Sequence, residues 1–345
     1  MTIARAPLRI NLVVRDNGLG LTRDAQLLAD ALKANGCDVH VTSLGEKDEQ
    51  LRWRYGRGRR IFFSHWRHAW ARIRGRTPYD VNIMFEHLWP LHLSLARYNI
   101  ALPNPEWFDS KDARHLRRMD HVWAKTRYAQ KLFQALGCKT SFVGFDSDDH
   151  YDPRVPRTRR FFHLAGGSRI KGTERLLALW RKHPEWPQLT VLQNPACANP
   201  GSAQANIRHC VEYIAPEALR EFQNAHAFHV CPSEAEGWGH YIVEGMGVGA
   251  VVITTDAAPM NELVSPERGL LVAAHEAGTM GHTVTWHFDE AAMEQAITEA
   301  MQMSDDELRD KGHRAREWFA QNHVEFAQRV GTALAEILPI RSKVS

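Results

Sequence analysis

The chain has 345 residues, 44% of them hydrophobic, which is enough apolar material for two domains of ordinary size. Its formal net charge is only +3, so the overall charge does not indicate a nucleic-acid-binding protein. The five cysteines lack paired spacing, which favours free thiols in a reducing cytoplasm over a disulfide framework. No apolar run approaches the roughly 20 residues that a membrane span needs, and residues 1–10 lack the apolar core of a signal peptide.

The chain opens with a predicted βαβ unit. Residues 8–14 form a continuous apolar run that is typical of a buried parallel strand. The next segment has helical periodicity up to Gly36, with Thr22 or Asp24 as its N-cap, and residues 39–43 form the second strand. This order predicts a Rossmann-like sheet at the start of the chain.

The loop after the first strand contains Gly18 and Gly20, which invites comparison with a dinucleotide-binding fingerprint. Arg23 occupies the place of the third glycine, and Val41-Thr42-Ser43 in the second strand offers no acid that would bind a ribose. We therefore do not expect a nicotinamide site here.

The stretch 51–79 has the strongest compositional bias, with nine arginines, no acidic residue and interleaved aromatic side chains. Arginines and aromatics together suit an anionic membrane surface or an anionic acceptor. A solvated helical face whose aromatics pack on the domain is the alternative, and single-stranded nucleic acid would suit the same composition. A membrane role would place the protein at the inner face of the membrane.

Two further strands, at 81–85 and 99–102, are each followed by a polar loop. Such loops leave the carboxyl ends of parallel strands, where ligands bind in open α/β sheets. The first loop contains His87, which is either a candidate for ordering a substrate hydroxyl or a structural histidine. The second loop contains Asn104 and Glu106.

The remainder of the first half predicts a strand at 121–125, a helix at 126–136 and a strand beginning at 141. The acidic turn 147–151 has the ligand types of a metal site, but capping and linker solvation are favoured. Prolines and arginines at 153–160 mark a linker between domains.

A second domain begins with a buried strand at 161–165 and a glycine-containing loop that carries Ser168, Arg169 and Lys171. This loop is not a Walker A motif, because the lysine precedes Gly172 rather than following a glycine. Two cations and a tight turn at a helix N-terminus predict an anion site. Two solvated loop cations are the alternative.

Strands are predicted next at 189–193 and 211–214, followed by a short helix at 216–219 and a strand at 225–231. His226 and His229 are three apart on that last strand. Regular strand geometry would point them to opposite faces, which argues against a shared metal.

The segment 231–264 has the most specific pattern of the chain: a strand end, a tight turn at Glu236-Gly-Trp-Gly239, a helix at 240–247 and a strand at 250–254. The free N–H groups of such a helix attract an anion such as a pyrophosphate, and glycine permits close approach. Glu236 in the turn and Glu244 in the helix are suited to accept hydrogen bonds from sugar or ribose hydroxyls. The alternative is a capped helix with Glu244 solvated.

This segment resembles the paired-glutamate motif of GT-B retaining glycosyltransferases of family 4, the glycosyl transferases group 1, which reads Pro-Ser, a spacer, Glu-Gly-Phe-Gly and then Glu-Ala-Met. Here Trp238 replaces Phe, His240 replaces a usual Leu and Gly245 replaces Ala. The resemblance implies an α/β fold of two Rossmann-like, doubly wound parallel-sheet domains facing a cleft. It also implies a C-terminal helix that crosses back to the first domain.

The resemblance implies domains at 1–155, on the acceptor side, and 156–322, which binds the nucleotide sugar, with a returning helix at 323–345. It also implies transfer of a sugar from a nucleoside diphosphate donor, UDP or GDP, to an acceptor hydroxyl, without a metal or other cofactor. The expected acceptor is a bacterial-type surface glycan or glycolipid. The alternatives are a GT-B phosphorylase or epimerase, and a non-catalytic binder of nucleic acid or another anionic polymer.

Site residues follow from the same resemblance. The catalytic candidates are Glu236, Lys171, Arg169 and His87. The donor-binding candidates are Gly18, Gly20, Ser168, Tyr213, Gly237, Trp238, Gly239, His240 and Glu244. The candidates on the acceptor or sugar side are Asn104 and Glu106.

Overall fold

The computed structural model describes residues 6–15, 20–45, 66, 69, 70, 74 and 77–338. The chain divides into two compact units, the first formed by residues 1–145 together with 324–345 and the second by residues 146–323. All five cysteines are free thiols. Among the described residues, no helix combines the length and the apolar character that crossing a bilayer requires.

The first unit contains a parallel sheet with the strand order β2-β1-β3-β4-β5-β6. Its strands are β1 (Arg9–Arg15), β2 (Asp38–Leu44), β3 (Tyr79–Phe85), β4 (Ala96–Leu102), β5 (His121–Ala124) and β6 (Thr140–Phe142). Its described helices are α1 (Gly20–Ala34), α2 (Ser110–Ala113) and α3 (Arg127–Ala135), with 3₁₀ turns at Pro90–Leu95 and Leu116–Arg118. Helix α1 begins at Gly20, so Asp24 lies inside the helix and the predicted capping role is wrong.

A row of buried amides connects three strands of this sheet. The Asn11 side chain donates to Asn82 Oδ1 at 3.0 Å, and the Asn82 side chain donates to Asn99 Oδ1 at 2.8 Å. The three residues are aligned in the strand register and are fully buried. Because a one-residue slip would leave these amides without partners, the row fixes the register of β1, β3 and β4.

The second unit contains a parallel sheet with the order β12-β11-β10-β7-β8-β9, which in chain order is the 3-2-1-4-5-6 arrangement of Rossmann folds. Its strands are β7 (Thr158–Gly166), β8 (Leu189–Gln193), β9 (Ile207–Val211), β10 (His226–Cys231), β11 (Val251–Thr255) and β12 (Gly269–Val272). Its helices are α4 (Thr173–Lys182), α5 (Pro216–Ala225), α6 (His240–Gly247), α7 (Met260–Leu263) and α8 (Glu290–Gln302). The strand predicted at 211–214 ends at Val211, so Tyr213 lies in the following loop.

The core of this unit is built on aromatic packing around β7. Phe161 stacks on Phe228 with ring centroids 5.0 Å apart and meets Trp180 edge-on at 5.1 Å. The rings of His226 and His229 both contact Phe162, so the prediction that they point to opposite faces is wrong. The pairing of β10 with β7 is irregular next to His226, the first residue of β10, and regular alternation does not extend to it.

The C-terminal helices predicted at 305–319 and 324–338 form one helix, α9 (Asp305–Ile337), which begins in the second unit and ends in the first. The sequence has no proline or glycine between Gly312 and Gly331 to end it. The acidic turn before β7 is attached to this helix, with Arg316 bonded to Asp149 and His323 to Asp146.

A β-hairpin, β13 (Ala274–Met280) and β14 (Thr283–Phe288), follows β12 and is absent from the sequence-based prediction. The signal was present in the sequence. Gly281-His282 separates two runs that contain β-branched or aromatic residues, which is a two-residue hairpin pattern.

Candidate active site

Two loops of the second unit meet at the carboxyl ends of β7 and β10. These strands are adjacent although two other strands of the sheet, β8 and β9, lie between them in sequence. They therefore form the topological switch point, where open α/β sheets bind ligands. The loop after β7 carries Lys171, and the loop after β10 carries Glu236. Lys171 Nζ lies 2.7 Å from Glu236 Oε1, and the two side chains remain 16% and 11% exposed. The structure thus brings together two of the predicted catalytic residues.

Two hydroxyl groups, those of Ser233 and Tyr241, form a hydrogen-bonded chain that ends at Glu236. Ser233 Oγ donates a hydrogen bond to Glu236 Oε1. The same oxygen lies 2.5 Å from the hydroxyl of Tyr241 and accepts a hydrogen bond from it. Lys171 Nζ lies 3.6 Å from the centroid of the Tyr241 ring, a cation–π contact. Burial raises the pKa of Tyr241 well above its usual value, so the hydroxyl stays a donor.

Glycines allow the loops to approach this closely. Gly172 has φ +66°, and a Cβ there would lie 2.3 Å from the carbonyl oxygen of Pro232. Gly239, with φ +95°, is the N-cap of α6. Gly245 stands where related motifs have alanine, and a Cβ there would lie 2.9 Å from His229 Nδ1. The departure from the family pattern at this position is therefore explained by the histidine on β10.

Glu244 has different surroundings from Glu236. It is only 2% exposed, and its Oε2 accepts a hydrogen bond from Gln223 Nε2 at 2.8 Å. Gln223 in turn contacts His150 at 2.6 Å through its other amide atom. The alternative of a solvated Glu244 does not hold, because this carboxylate is part of a buried chain of hydrogen-bonded side chains.

The remaining candidates on α6 and its preceding turn are also fixed. Trp238 is buried, and its indole N–H donates to Ser147 Oγ at 3.2 Å. The same hydroxyl lies 2.8 Å from His240 Nδ1. Gly237 lies in the turn beside them, and Ser147 contacts Trp238 and His240, which are two of the three departures from the family motif.

The other candidates of the second unit for contacts with the nucleotide sugar are more exposed to solvent. Arg169 is exposed, and its guanidinium reaches the carbonyl of Ala196 at 3.5 Å. Ser168 Oγ accepts the amide of Ile170 at 3.3 Å, and Tyr213 is 76% exposed. The described contacts therefore do not join Arg169 to the Lys171–Glu236 pair.

Candidates of the first unit form a separate group. His87 follows β3, and its Nδ1 lies 2.9 Å from the buried Asp112 Oδ2. Asn104 and Glu106 follow β4, the neighbouring strand. Gly20 begins α1, whereas Gly18 lies outside the described residues. Most of the arginine-rich stretch 51–79 also lies outside them.

Sequence reasoning missed Tyr241 and Asp112 as supporting residues. Tyr241 occupies an ordinary helix position, and Asp112 lies 25 positions from His87. No local pattern connects either residue to its partner, because only the folded chain brings them together.

Two buried histidines behind the site carry an expected pH dependence. Burial lowers the pKa of His163 to about 4 and that of His229 to about 3, from 6.5. His163 Nε2 contacts the hydroxyl of Thr173, the first residue of α4. As the pH falls below 6.5, the unfolded chain binds protons that the folded chain does not, so stability is lost between pH 6.5 and these lower values.

We expect each histidine to cost about 2 kcal/mol of unfolding free energy between about pH 7.5 and about pH 5. Urea denaturation at the two pH values measures the loss. The His163→Gln variant keeps a hydrogen-bonding side chain that does not titrate, and it should lose about half of this pH dependence. An equal dependence in wild type and variant would contradict the assignment.

The whole chain has the fold of known GT-B enzymes. A glycosyltransferase from Rickettsia africae aligns with a TM-score of 0.72 and 16% identity, covering 97% of this chain and 100% of that one. Anabaena HepE, in complex with UDP and glucose, aligns with a TM-score of 0.64 and 14% identity, covering 95% and 100%. The lipopolysaccharide outer core galactosyltransferase WaaB aligns with a TM-score of 0.65 and 13% identity, covering 96% and 100%. The fold class predicted from the sequence is therefore confirmed.

A family match covers part of the second unit. Residues 190–303 match the family model described as glycosyl transferases group 1. No curated protein sequence matches the chain significantly. The part of the chain that the structure describes contains no group of three or more His, Cys, Asp or Glu placed to hold a metal ion.

Proposed function

We propose that the protein is a retaining glycosyltransferase that moves a sugar from a nucleoside diphosphate donor to an acceptor hydroxyl. The observation that carries this proposal is the Lys171–Glu236 pair at the switch point of the second sheet. A cation for a pyrophosphate and a carboxylate for sugar hydroxyls stand side by side, which is the charge pattern of a nucleotide sugar.

The main energetic barrier of the reaction is separation of charge, and the site residues stabilise both charges that develop. The bond between the anomeric carbon and the pyrophosphate breaks, leaving an anion and an oxocarbenium-like sugar. Lys171, Arg169 and the N-terminus of α6 stabilise the anion, and Glu236 holds hydroxyls beside the positive ring. Glu244 binds the ribose, and its contact with Gln223 orients it for that task.

Retention follows from the resemblance to family 4. The new bond from the acceptor oxygen forms on the face from which the pyrophosphate departs, and a phosphate oxygen takes the acceptor proton. No side-chain nucleophile is needed on this route. Proton NMR of the first product formed reads the anomeric configuration directly.

A panel of nucleotides and nucleotide sugars tests the donor. UDP is our first expectation and GDP the second, a preference supported by the UDP bound to Anabaena HepE. A ligand at about 100 times its dissociation constant stabilises the fold by about 2.7 kcal/mol, which a thermal shift detects. One nucleotide standing out, together with slow hydrolysis of its sugar, supports the proposal. If no nucleotide or nucleotide sugar raises the Tm, the proposal is contradicted.

We propose a bacterial surface glycan or glycolipid as the acceptor, which the likeness to a lipopolysaccharide galactosyltransferase supports. The arginine-rich stretch 51–79 would then hold the enzyme at an anionic inner membrane face. Replacing Arg57, Arg59 and Arg60 by glutamine should reduce sedimentation with vesicles containing anionic lipid, by about 1 kcal/mol per arginine near the surface. Equal binding of variant and wild type would remove the membrane role.

A further inference from the structure

Glu86 has an unusual backbone conformation. It follows β3 directly and is the only non-glycine residue with positive φ in the described part of the chain, at +58°. The N–H of His87 donates to the carbonyl of Phe85 at 2.5 Å, which closes a three-residue turn with Glu86 at its apex. A side chain other than glycine is strained in this region, so the surrounding structure must hold it there.

The position of this turn in the sheet is that of a ligand site. In the order β2-β1-β3-β4-β5-β6, strands β1 and β3 are adjacent and form the switch point of the first unit. Glu86 lies at the carboxyl end of β3, on the same sheet edge as Asn104 after β4 and Lys125 after β5. The first unit therefore repeats the arrangement that places Lys171 and Glu236 in the second.

The neighbours of Glu86 leave a specific gap. His87 Nδ1 donates a hydrogen bond to Asp112, which leaves Nε2 on the side of Glu86. The distance from His87 Nε2 to Glu86 Oε2 is 3.9 Å. This distance is too long for a direct hydrogen bond, but one hydroxyl oxygen can lie between the two atoms and contact both. A hydroxyl at this position can donate a hydrogen bond to the Glu86 carboxylate.

Asn104 completes the group. Its side chain is hydrogen-bonded to Glu86, and its carbonyl oxygen Oδ1 is buried without a hydrogen-bond partner in the described structure. A buried acceptor left open costs free energy unless a ligand satisfies it. A second hydroxyl donor on the same ligand would do so, as the neighbouring hydroxyls of a sugar can.

The charges around Glu86 suit a hydrogen-bond acceptor that is held back from solvent. Burial raises the pKa of Glu86, whereas His87, Lys125, Asn104 and Arg15 oppose that rise. Lys125 is itself bound to Asp24, so its charge is already partly neutralised. Backbone strain and burial at Glu86 thus coincide with an open acceptor on its neighbour Asn104.

We propose that Glu86, together with His87 and Asn104, binds hydroxyls of the acceptor sugar, the sugar to which the group is transferred. This inference rests on the proposed transferase function and adds to it a residue that the sequence motifs did not indicate. Glu86 accepts a hydrogen bond from a hydroxyl next to the attacking one and so orients the acceptor sugar. The single proton of the attacking hydroxyl passes to the leaving phosphate oxygen as its oxygen bonds to the anomeric carbon. Asp112 is a positioning residue, because it acts through His87.

The test separates acceptor use from donor use. Wild type and Glu86→Gln are assayed with UDP-glucose and GDP-mannose, for hydrolysis in water and for transfer to octyl β-D-glucoside, octyl β-D-galactoside and octyl α-D-mannoside. Loss of a hydrogen bond to a charged acceptor should lower transfer kcat/KM by about tenfold or more. Donor hydrolysis should change less than about twofold, because the Lys171–Glu236 site is untouched.

Two further variants exclude a structural role. Glu86→Gly removes the strained side chain, so its Tm should equal or exceed that of wild type while transfer falls as in Glu86→Gln. Glu325→Gln makes the same chemical change in the first unit, at a carboxylate that is 43% exposed and paired with Arg329, and should leave transfer unchanged.

The outcomes are distinct. A lower Tm of Glu86→Gly, or unchanged transfer by Glu86→Gln, overturns the assignment. A wild-type enzyme that hydrolyses a donor but transfers to none of the glycosides also contradicts a sugar-hydroxyl site. Absence of both donor hydrolysis and nucleotide binding in wild type would instead defeat the proposed function itself.

Discussion

Replacing Lys171 by alanine should lower sugar transfer by about 100-fold or more, and Glu236→Ala should do the same. A preorganised charge partner in an active site supplies about 3 kcal/mol to the transition state, which corresponds to this loss. Each change also leaves the other member of a 2.7 Å pair without its partner. Initial rates with the nucleotide sugar identified by the panel give the measurement.

The double variant sharpens this prediction. Because the two groups are in contact and act on one donor, the loss in Lys171→Ala/Glu236→Ala should be smaller than the product of the two single losses. Lys182→Ala is the matched control, since Lys182 pairs with Glu290 on an exposed surface of the same unit. Exposed pairs contribute at most about 1 kcal/mol, so this variant should retain its activity.

Wild-type-like turnover in both single variants would remove the site assignment. Losses that simply multiply would show that the two residues act independently, and the pair would then have no joint role. A Tyr241→Phe variant adds a finer reading, because it keeps the ring under Lys171 but removes the proton that Ser233 accepts.

Lys125→Ala should destabilise the first unit by about 3 to 5 kcal/mol, the range for breaking a buried ion pair from one side. Lys125 Nζ lies 2.5 Å from Asp24 Oδ2, and the two side chains are 2% and 6% exposed. The cation also packs 4.4 Å from the ring centroid of Phe145. Removing the lysine leaves the Asp24 charge buried, and the urea midpoint of unfolding should fall accordingly.

Two controls show whether the charge or the volume matters. Lys125→Met with Asp24→Leu removes both charges and fills the space, so it should recover most of the loss. Arg9→Ala breaks the exposed pair with Asp80 in the same unit and should cost less than about 1 kcal/mol. A similar loss in Arg9→Ala and Lys125→Ala would contradict the importance of burial.

Much of this fold could be predicted from local pattern. The apolar runs of the parallel strands and the helix at 240–247 are found where periodicity and glycine placed them. That the loops carrying Lys171 and Glu236 belong to one site was implied by the resemblance to the glycosyltransferase family. The prediction failed where a long-range contact determined the role of a residue. Asp24 was predicted to cap a helix from its local sequence, but it lies inside α1 and binds a lysine 101 positions away.

The amino-acid sequence by itself determined the class of fold, the positions of most strands and the motif that contains Glu236, because these depend on periodicity and turn chemistry within short windows. Only the tertiary structure decided which side chains meet. Lys171 reaches Glu236 across 65 positions and Glu86 meets Asn104 across two strands. Both encounters arise from strand order, since parallel strands that are distant in sequence deliver their following loops to one edge of a sheet.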